Sequence, residues 1–393
     1  MTTAAAIIEC CAAWVFWVLA GYPAWLALRA RWFGRSPRSG SNEPAVAALI
    51  PVHNGARFLS AKLDSILASG YPPEKLTVLV LSDASDDGTD GVAEEYVRRF
   101  PDRVRFRRLQ RGGKAAAINA ALSKLRADVL LLTDVRQRLH PDCVRRLAEM
   151  LRDPEVGVVS GNLKILVGES SEEANVGLYW RYESWIRKNL GRVDSLLGAT
   201  GPIYAIRREL VRPLPARCIL DDVWLPMQAV LAGYRSVLEE RAIAWDYPTS
   251  LDAEFARKVR TQAGLFQLIW QLPGLFSWRN RLFWPFLFCK LGRLLLPEVL
   301  IVCLLASLWL RPPLKWPALA AQGVFYALAL IDPWIREASV LKRATAPARV
   351  FVVLLAAALF AVSIFFVPPE KLWKRTRVRR PVHRPSSGVS DDC

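Results

Sequence analysis

Between residues 44 and about 250, short apolar runs alternate with stretches in which apolar positions recur every three or four residues. The runs at 46–52, 76–82, 129–133 and 156–160 are rich in Val, Leu and Ile and read as strands, and 104–109, with three arginines, is a further strand candidate. The stretches at 58–68, 89–99, 114–125 and 141–151 carry helical spacing. This βαβα order predicts an α/β fold with a mainly parallel sheet covered by helices on both faces. Ligands of such sheets bind beyond the carboxyl ends of the strands.

The flanks read differently. Residues 4–28 are almost uncharged and long enough to cross a hydrocarbon core of about 30 Å. They lack a basic leading segment and are followed by Arg29, Arg31, Arg35 and Arg38, which predicts a retained anchor whose carboxyl end is cytoplasmic. Runs at 294–310, 316–331 and 350–367 approach spanning length, and 282–293, with Lys290 and Arg293, reads as interfacial. One anchor plus three spans would put the carboxyl terminus outside, yet Lys371, Lys374, Arg375, Arg377, Arg379 and Arg380 favour the cytoplasm. The reading adopted keeps the tail cytoplasmic and makes one late segment re-entrant or interfacial. The expected divisions are an anchor and linker at 1–43, a catalytic domain at 44–250, interfacial helices at 251–293, transmembrane helices at 294–367 and a basic tail at 368–393.

Composition agrees with a multi-pass protein of the cell membrane carrying a cytoplasmic catalytic domain: 393 residues are 52% hydrophobic, and the net charge is +17. The basic residues gather near membrane ends without a nucleic-acid-binding signature, so anionic lipids and diphosphates are the expected partners and nucleic acid is not. Seven cysteines with no CxxC spacing argue against a disulfide framework or a zinc site. No GxGxxG follows the first strand and no GxxxxGK[ST] occurs, which disfavours dinucleotide and P-loop enzymes.

Candidate chemistry lies at the strand ends. Pro51-Val52-His53-Asn54 shapes a turn, whose free backbone groups suit a flat ring. Asp83 ends an apolar run and is placed to accept from a base imide, whereas most of the acidity in 84–90 reads as turn and cap chemistry. Lys114 opens a small-residue helix, either as a surface lysine or as a cation for a diphosphate. Asp134 ends another apolar run, as a cap or as an oxygen ligand for Mg²⁺ or Mn²⁺. Asp221 and Asp222 open an amphipathic stretch to Gly233, either capping it or dividing the work of orienting and accepting a proton. Trp180, Tyr182 and Trp185, at helical spacing, read first as packing and second as sugar-stacking faces.

Together these segments resemble glycosyltransferase family 2, the inverting GT-A enzymes that include cellulose, hyaluronan and poly-N-acetylglucosamine synthases. The resemblance is strong over about 44–270. Residues 49–54 look like the first-strand motif, 82–89 like the acidic second-strand motif, and 113–119 like the GKAxAxN box. Residues 133–137 occupy the place of the DxD motif, and Asp221-Asp222 that of the acidic pair in the TED motif. The resemblance implies a nucleotide-diphospho-sugar transferase domain in which Pro51, His53, Asp83 and Lys114 surround the nucleotide. Asp134 would engage diphosphate and metal, Asp222 would be the base with Asp221 beside it, and Gly198, Thr200 and Gly201 would form a small-residue loop near the acceptor. It also implies a lipid-linked or saccharide acceptor, a UDP-sugar donor by family preference, and other polysaccharide-assembly proteins as partners.

Two departures stand out. Arg136 holds the place of the second DxD acid, so a metal would lean on phosphates and water. The QxxRW box falls at 257–261 and keeps only Arg260, which weakens long-chain processivity while leaving a guanidinium for phosphate, or for lipid headgroups. These departures motivate two alternatives: a non-catalytic nucleotide-sugar-sensing or scaffold subunit, and a processive synthase.

Overall fold

The computed structural model describes residues 3–41, 43–122, 125–165, 171–247, 250–336 and 339–366, and within 171–178 the main chain only. The basic tail, and with it the side on which the chain ends, lies outside the described residues. In chain order the amino-terminal elements are α1 (Thr3–Phe33), β1 (Val46–Val52), α2 (Ala56–Leu67), β2 (Leu76–Asp83), α3 (Thr89–Arg99), β3 (Val104–Leu109), α4 (Gly113–Leu122) and β4 (Val129–Leu132). They continue with β5 (Arg138–Leu139), α5 (Cys143–Met150), β6 (Val156–Ile165), α6 (Ser171–Val193), β7 (Tyr204–Arg207), α7 (Asp221–Leu231) and β8 (Arg235–Asp246). The carboxyl-terminal helices are α8 (Leu251–Gln271), α9 (Phe283–Leu294), α10 (Leu296–Leu308), α11 (Lys315–Ile331) and α12 (Lys342–Phe365).

The eight strands form one sheet in the order β3-β2-β1-β4-β7-β6-β8-β5. β1 is parallel to β2 and β4, β2 to β3, and β6 to β8, whereas β7 is antiparallel to β4 and β6, and β5 to β8. The near-continuous apolar run of β1 follows from burial on both faces. Leu49 packs with Leu81, Ile118, Leu130 and Tyr204 on one side of the sheet, and Ile50 with Leu59, Leu63, Val80 and Leu131 on the other. The expected α/β fold with a mainly parallel sheet is present, and each expected strand and helix occurs within a few residues of its predicted limits. β5, β7 and β8 were not foreseen. Their pairing has a functional consequence: antiparallel β7 sets Tyr204 opposite Leu132, so the loop entering β7 meets the carboxyl end of β4.

Two helices among the described residues, α1 and α12, are long and apolar enough to cross a membrane; α9 with α10 would make a third, but their axes bend by 58°. Here the predicted spans need correction. The run expected at 294–310 is broken at Leu295, and the segment 282–293, expected to lie apart in the interface, forms the other arm of that bent pair. α11 has 17 residues, a rise of about 26 Å, short of a hydrocarbon core. Exposed aromatic rings gather at the helix ends: Trp32 and Phe33 close α1, Trp309 follows α10, Trp316 opens α11 and Trp334 follows it. That distribution matches the aromatic belts found where apolar helices meet headgroups.

Candidate active site

The carboxyl edge of the sheet gathers the predicted residues into two neighbouring groups. The first surrounds Asp83, whose carboxylate accepts from the backbone N–H of Gly112 at 2.7 Å and of Gly113 at 3.1 Å and from Arg111 at 2.7 Å. His53, one residue past β1, has Nδ1 3.0 Å from the Asp83 carbonyl oxygen, and Pro51 lies beside Leu81 in the sheet register. Asp83 therefore latches β2 to the turn that launches α4, with the Gly113 N–H shared between its two oxygens, so a base imide would compete with these donors. Neighbouring acids do the local work expected of them: Asp87 accepts from the N–H groups of Thr89 and Ala56, and these bonds hold its carboxyl below the ordinary range although burial pushes the other way.

The second group centres on Lys114. Its ammonium donates to Asp134 at 2.9 Å and lies 3.1 Å from Asp221. Burial alone would raise Asp134, but the charge and hydrogen bond of Lys114, with the charges of Lys62 and Arg260, together hold the carboxyl low. Burial raises both acids of the following pair, and for Asp222 the adjacent Asp221 charge adds to it, pushing the carboxyl up to about 6. Cutting the lysine away would strand the buried Asp221 carboxylate, and breaking a buried pair costs about 3–5 kcal/mol, whereas Asp134, 39% exposed, would lose a pair that solvent screens.

A loop without side-chain bulk faces Asp222. Gly198 has φ +124, which a side chain rarely tolerates, and a Cβ on Gly201 would stand 2.8 Å from Asp222 Oδ2. The loop is pinned by the Ala199 N–H to the Asp222 carbonyl at 2.7 Å, and Thr200 by its N–H to Ser160 Oγ at 2.9 Å. Arg187 donates to Ser160 at 3.0 Å and to Thr200 at 3.1 Å, and its charge also faces Asp222. On the other side Arg260, largely desolvated, faces Asp134 and Asp222.

Two residues of this site escaped the sequence reading. Lys62 is fully buried under Asp134, donating to Thr133 Oγ1 at 2.5 Å and to the Gln137 carbonyl at 2.8 Å, while Thr133 donates to the Pro202 carbonyl at 2.6 Å. This chain of bonds fixes the end of β4 against the loop entering β7. A lysine in register with Leu59, Leu63 and Ile66 on the buried face of α2 was the visible signal. Arg187 gave no comparable signal, because α6 carries charged residues throughout. Of the aromatic set, Trp180 packs under Arg257, and the Tyr182 hydroxyl donates to the Leu19 carbonyl at 2.6 Å, as the packing reading expects; Trp185 remains exposed.

Whether a divalent cation fits can be judged from the donor set. Among the described residues no group of three or more His, Cys, Asp and Glu side chains is arranged to hold one alone. Arg136 turns away to Asp246, which also accepts from Gln137 at 2.9 Å. Asp134, with 39% of its side chain exposed, remains as a single carboxylate ligand. One carboxylate completed by substrate phosphates and water suits Mg²⁺ or Mn²⁺.

Comparison with known proteins bears on this geometry. Residues 47–214 match the Glycosyl transferase family 2 model. A probable glycosyltransferase, YdaM, of Bacillus subtilis is 24% identical over 213 residues, 52% of this chain and 50% of that protein. An N-acetylglucosaminyltransferase of Mesorhizobium japonicum is 38% identical over 181 residues, 44% of this chain and 42% of that one. These matches thus span about half the length of the relatives or less. Among solved structures, the mannosyltransferase PcManGT from Pyrobaculum calidifontis, in complex with GDP-Man and Mn²⁺, superposes with a TM-score of 0.71 at 21% identity, covering 92% of this chain and 99% of that one. That likeness is one of fold.

Proposed function

We propose, from the premise that this chain carries a family 2 glycosyltransferase domain of GT-A fold, that it is a membrane-bound inverting glycosyltransferase. It takes a nucleotide-sugar donor, UDP-linked by preference, and passes the sugar to a lipid-linked or saccharide acceptor in envelope or extracellular polysaccharide synthesis. The observation that carries this reading is the placement of Asp222. Its carboxyl is raised to about 6, beside a loop whose glycines leave room for a substrate oxygen and across from the cations that would meet a diphosphate.

The chemistry is one displacement. The acceptor oxygen attacks the sugar C1 while its proton passes to Asp222, and the C1–O electron pair leaves with the nucleoside diphosphate. Lys114 and Arg260 meet the charge that develops on the leaving group, which is the larger contribution in such sites. Pro51, His53 and Asp83 position the nucleotide. A divalent cation, Mg²⁺ or Mn²⁺, held by Asp134 would lend further positive charge to the diphosphate oxygens. Arg136 gives little support to a non-catalytic sensing subunit, since its guanidinium is engaged by Asp246 instead of entering the diphosphate site. The catalytic domain faces the cytoplasm, as the arginines after α1 favour. The test is donor turnover: Asp222→Asn retains donor binding and loses transfer, whereas Asp134→Ala weakens both. Product length separates single addition from processive synthesis.

A further inference from the structure

Against Leu220 and Val223, which flank the acidic pair, lies a cavity of about 390 Å³ between α6, α7, α8, α9 and α12. These two residues form its inner end, and Phe351 and Leu354 of the membrane-spanning candidate α12 form its apolar wall. Such a volume, apolar and continuous with membrane helices, suits a hydrocarbon chain and not a free sugar.

Its polar residues are grouped and carry an excess of positive charge. Glu183 is paired with Arg293 and accepts from the Tyr179 hydroxyl at 2.7 Å, and Lys258 donates to that hydroxyl. Lys290 belongs to the same lining, is half-buried, and makes no hydrogen bond or ion pair among the described residues. The lining thus carries three cations and one carboxylate, Glu183, which is already engaged, while Glu254 and Asp222 lie outside the lining and attract Lys258 and Lys290. Glu183 and Asp222 attract the Lys290 ammonium without touching it, and an anion in direct contact would offset the cost of its burial. Local geometry singles out the same place: Lys290 lies in the π-helical turn Leu287–Leu291 and Leu19, also lining the cavity, in the π-helical turn Trp17–Gly21. Such turns are rare and concentrate at functional sites.

We propose that this cavity holds the acceptor as a lipid with a phosphate or diphosphate head, its apolar chain against α12, its phosphate on Lys290, and its hydroxyl-bearing end reaching past Val223 to Asp222. The proposal rests on the transferase reading and names the substrate class of that same site. Lys258 and Arg293 hold the neighbouring Tyr179 and Glu183 in place.

The test uses the whole chain in phosphatidylcholine nanodiscs, with dodecyl phosphate as probe and dodecanol and inorganic phosphate as controls. Nucleoside diphosphate binding is measured on the same preparations. Dodecyl phosphate should bind saturably, without displacement by nucleoside diphosphate, and dodecanol and inorganic phosphate should each bind at least about 10-fold more weakly. Lys290→Ala should weaken dodecyl phosphate about 10-fold, Lys290→Arg should restore it, and Leu354→Trp, which fills the apolar end, should abolish it, all with nucleotide binding intact. Equal binding to wild type and Lys290→Ala, or equal binding of dodecanol and dodecyl phosphate, would overturn the proposal. So would displacement of the probe by phosphatidylglycerol added to the bilayer, which would assign the cavity to an ordinary membrane lipid. Failure of the wild-type chain to bind any nucleotide would instead count against the transferase reading itself.

Discussion

Asp222 stands in an unusual electrostatic position, sharing a helix start with Asp221 and facing Arg187, Arg260 and Lys114. If Asp222 is the base proposed above, it must be ionised to accept a proton, and kcat should fall on the acid side with an apparent value near 6, which belongs to the two acids together and not to one of them. Asp221→Asn removes the charge that helps raise Asp222, so the acid limb of the rate profile should move to lower pH; a limb that stays in place would assign it to another group. Lys62 gives a second residue-scale expectation. Burial brings its ammonium down from 10.5 to about 7, so holding it charged opposes folding, an effect complete below about pH 7 and gone above the unfolded value. Wild type should therefore gain stability over Lys62→Met as pH rises from 7 to 10, read from thermal midpoints at several pH values. Asp83, Lys114, Asp134 and the acidic pair were legible because each ends or starts an element in a recognisable motif. Lys62 and Arg187 act from the interiors of helices, where sequence position does not mark a site and only the fold shows what a long side chain reaches.

At the scale of elements, the site depends on how α8 meets α7. Gln267 accepts from the Ile219 N–H at 2.9 Å and donates to the Arg217 carbonyl at 3.0 Å, fastening α8 to the segment that leads into the acidic pair. Gly264 makes the close approach possible, since a Cβ there would stand 2.4 Å from Leu220 Cγ. Gly264→Ala should force α8 off α7, destabilise the protein by about 1–3 kcal/mol and lower turnover more than donor affinity. Unchanged stability and turnover would show that this contact does not position Asp222. The central strands β1, β2 and β4 were readable because burial on both faces makes each a plain apolar run. β5 is two residues long, and β7 and β8 lie among charged neighbours, so their pattern carries little period. The break between α9 and α10 was hidden because Leu294, Leu295 and Leu296 continue the apolar run across it.

The whole molecule joins a GT-A sheet to apolar helices: α1 packs on α6 and α10, and α12 on α6 and α8, so membrane-type helices rest directly on those that line the cavity beside the acidic pair. Together with the exposed tryptophans at helix ends and the net charge of +17, this predicts an integral association with membranes. The protein should stay in the membrane pellet after alkaline carbonate and leave it only with detergent; release by carbonate alone would reduce the association to a peripheral one. The most direct measurement is nucleoside diphosphate release by the membrane-embedded chain across a panel of nucleotide sugars with Mg²⁺ or Mn²⁺, run in parallel for Asp222→Asn. The account predicts release from a single donor, lost by at least about 100-fold in the variant while donor binding persists. Turnover at the wild-type rate by Asp222→Asn would contradict it.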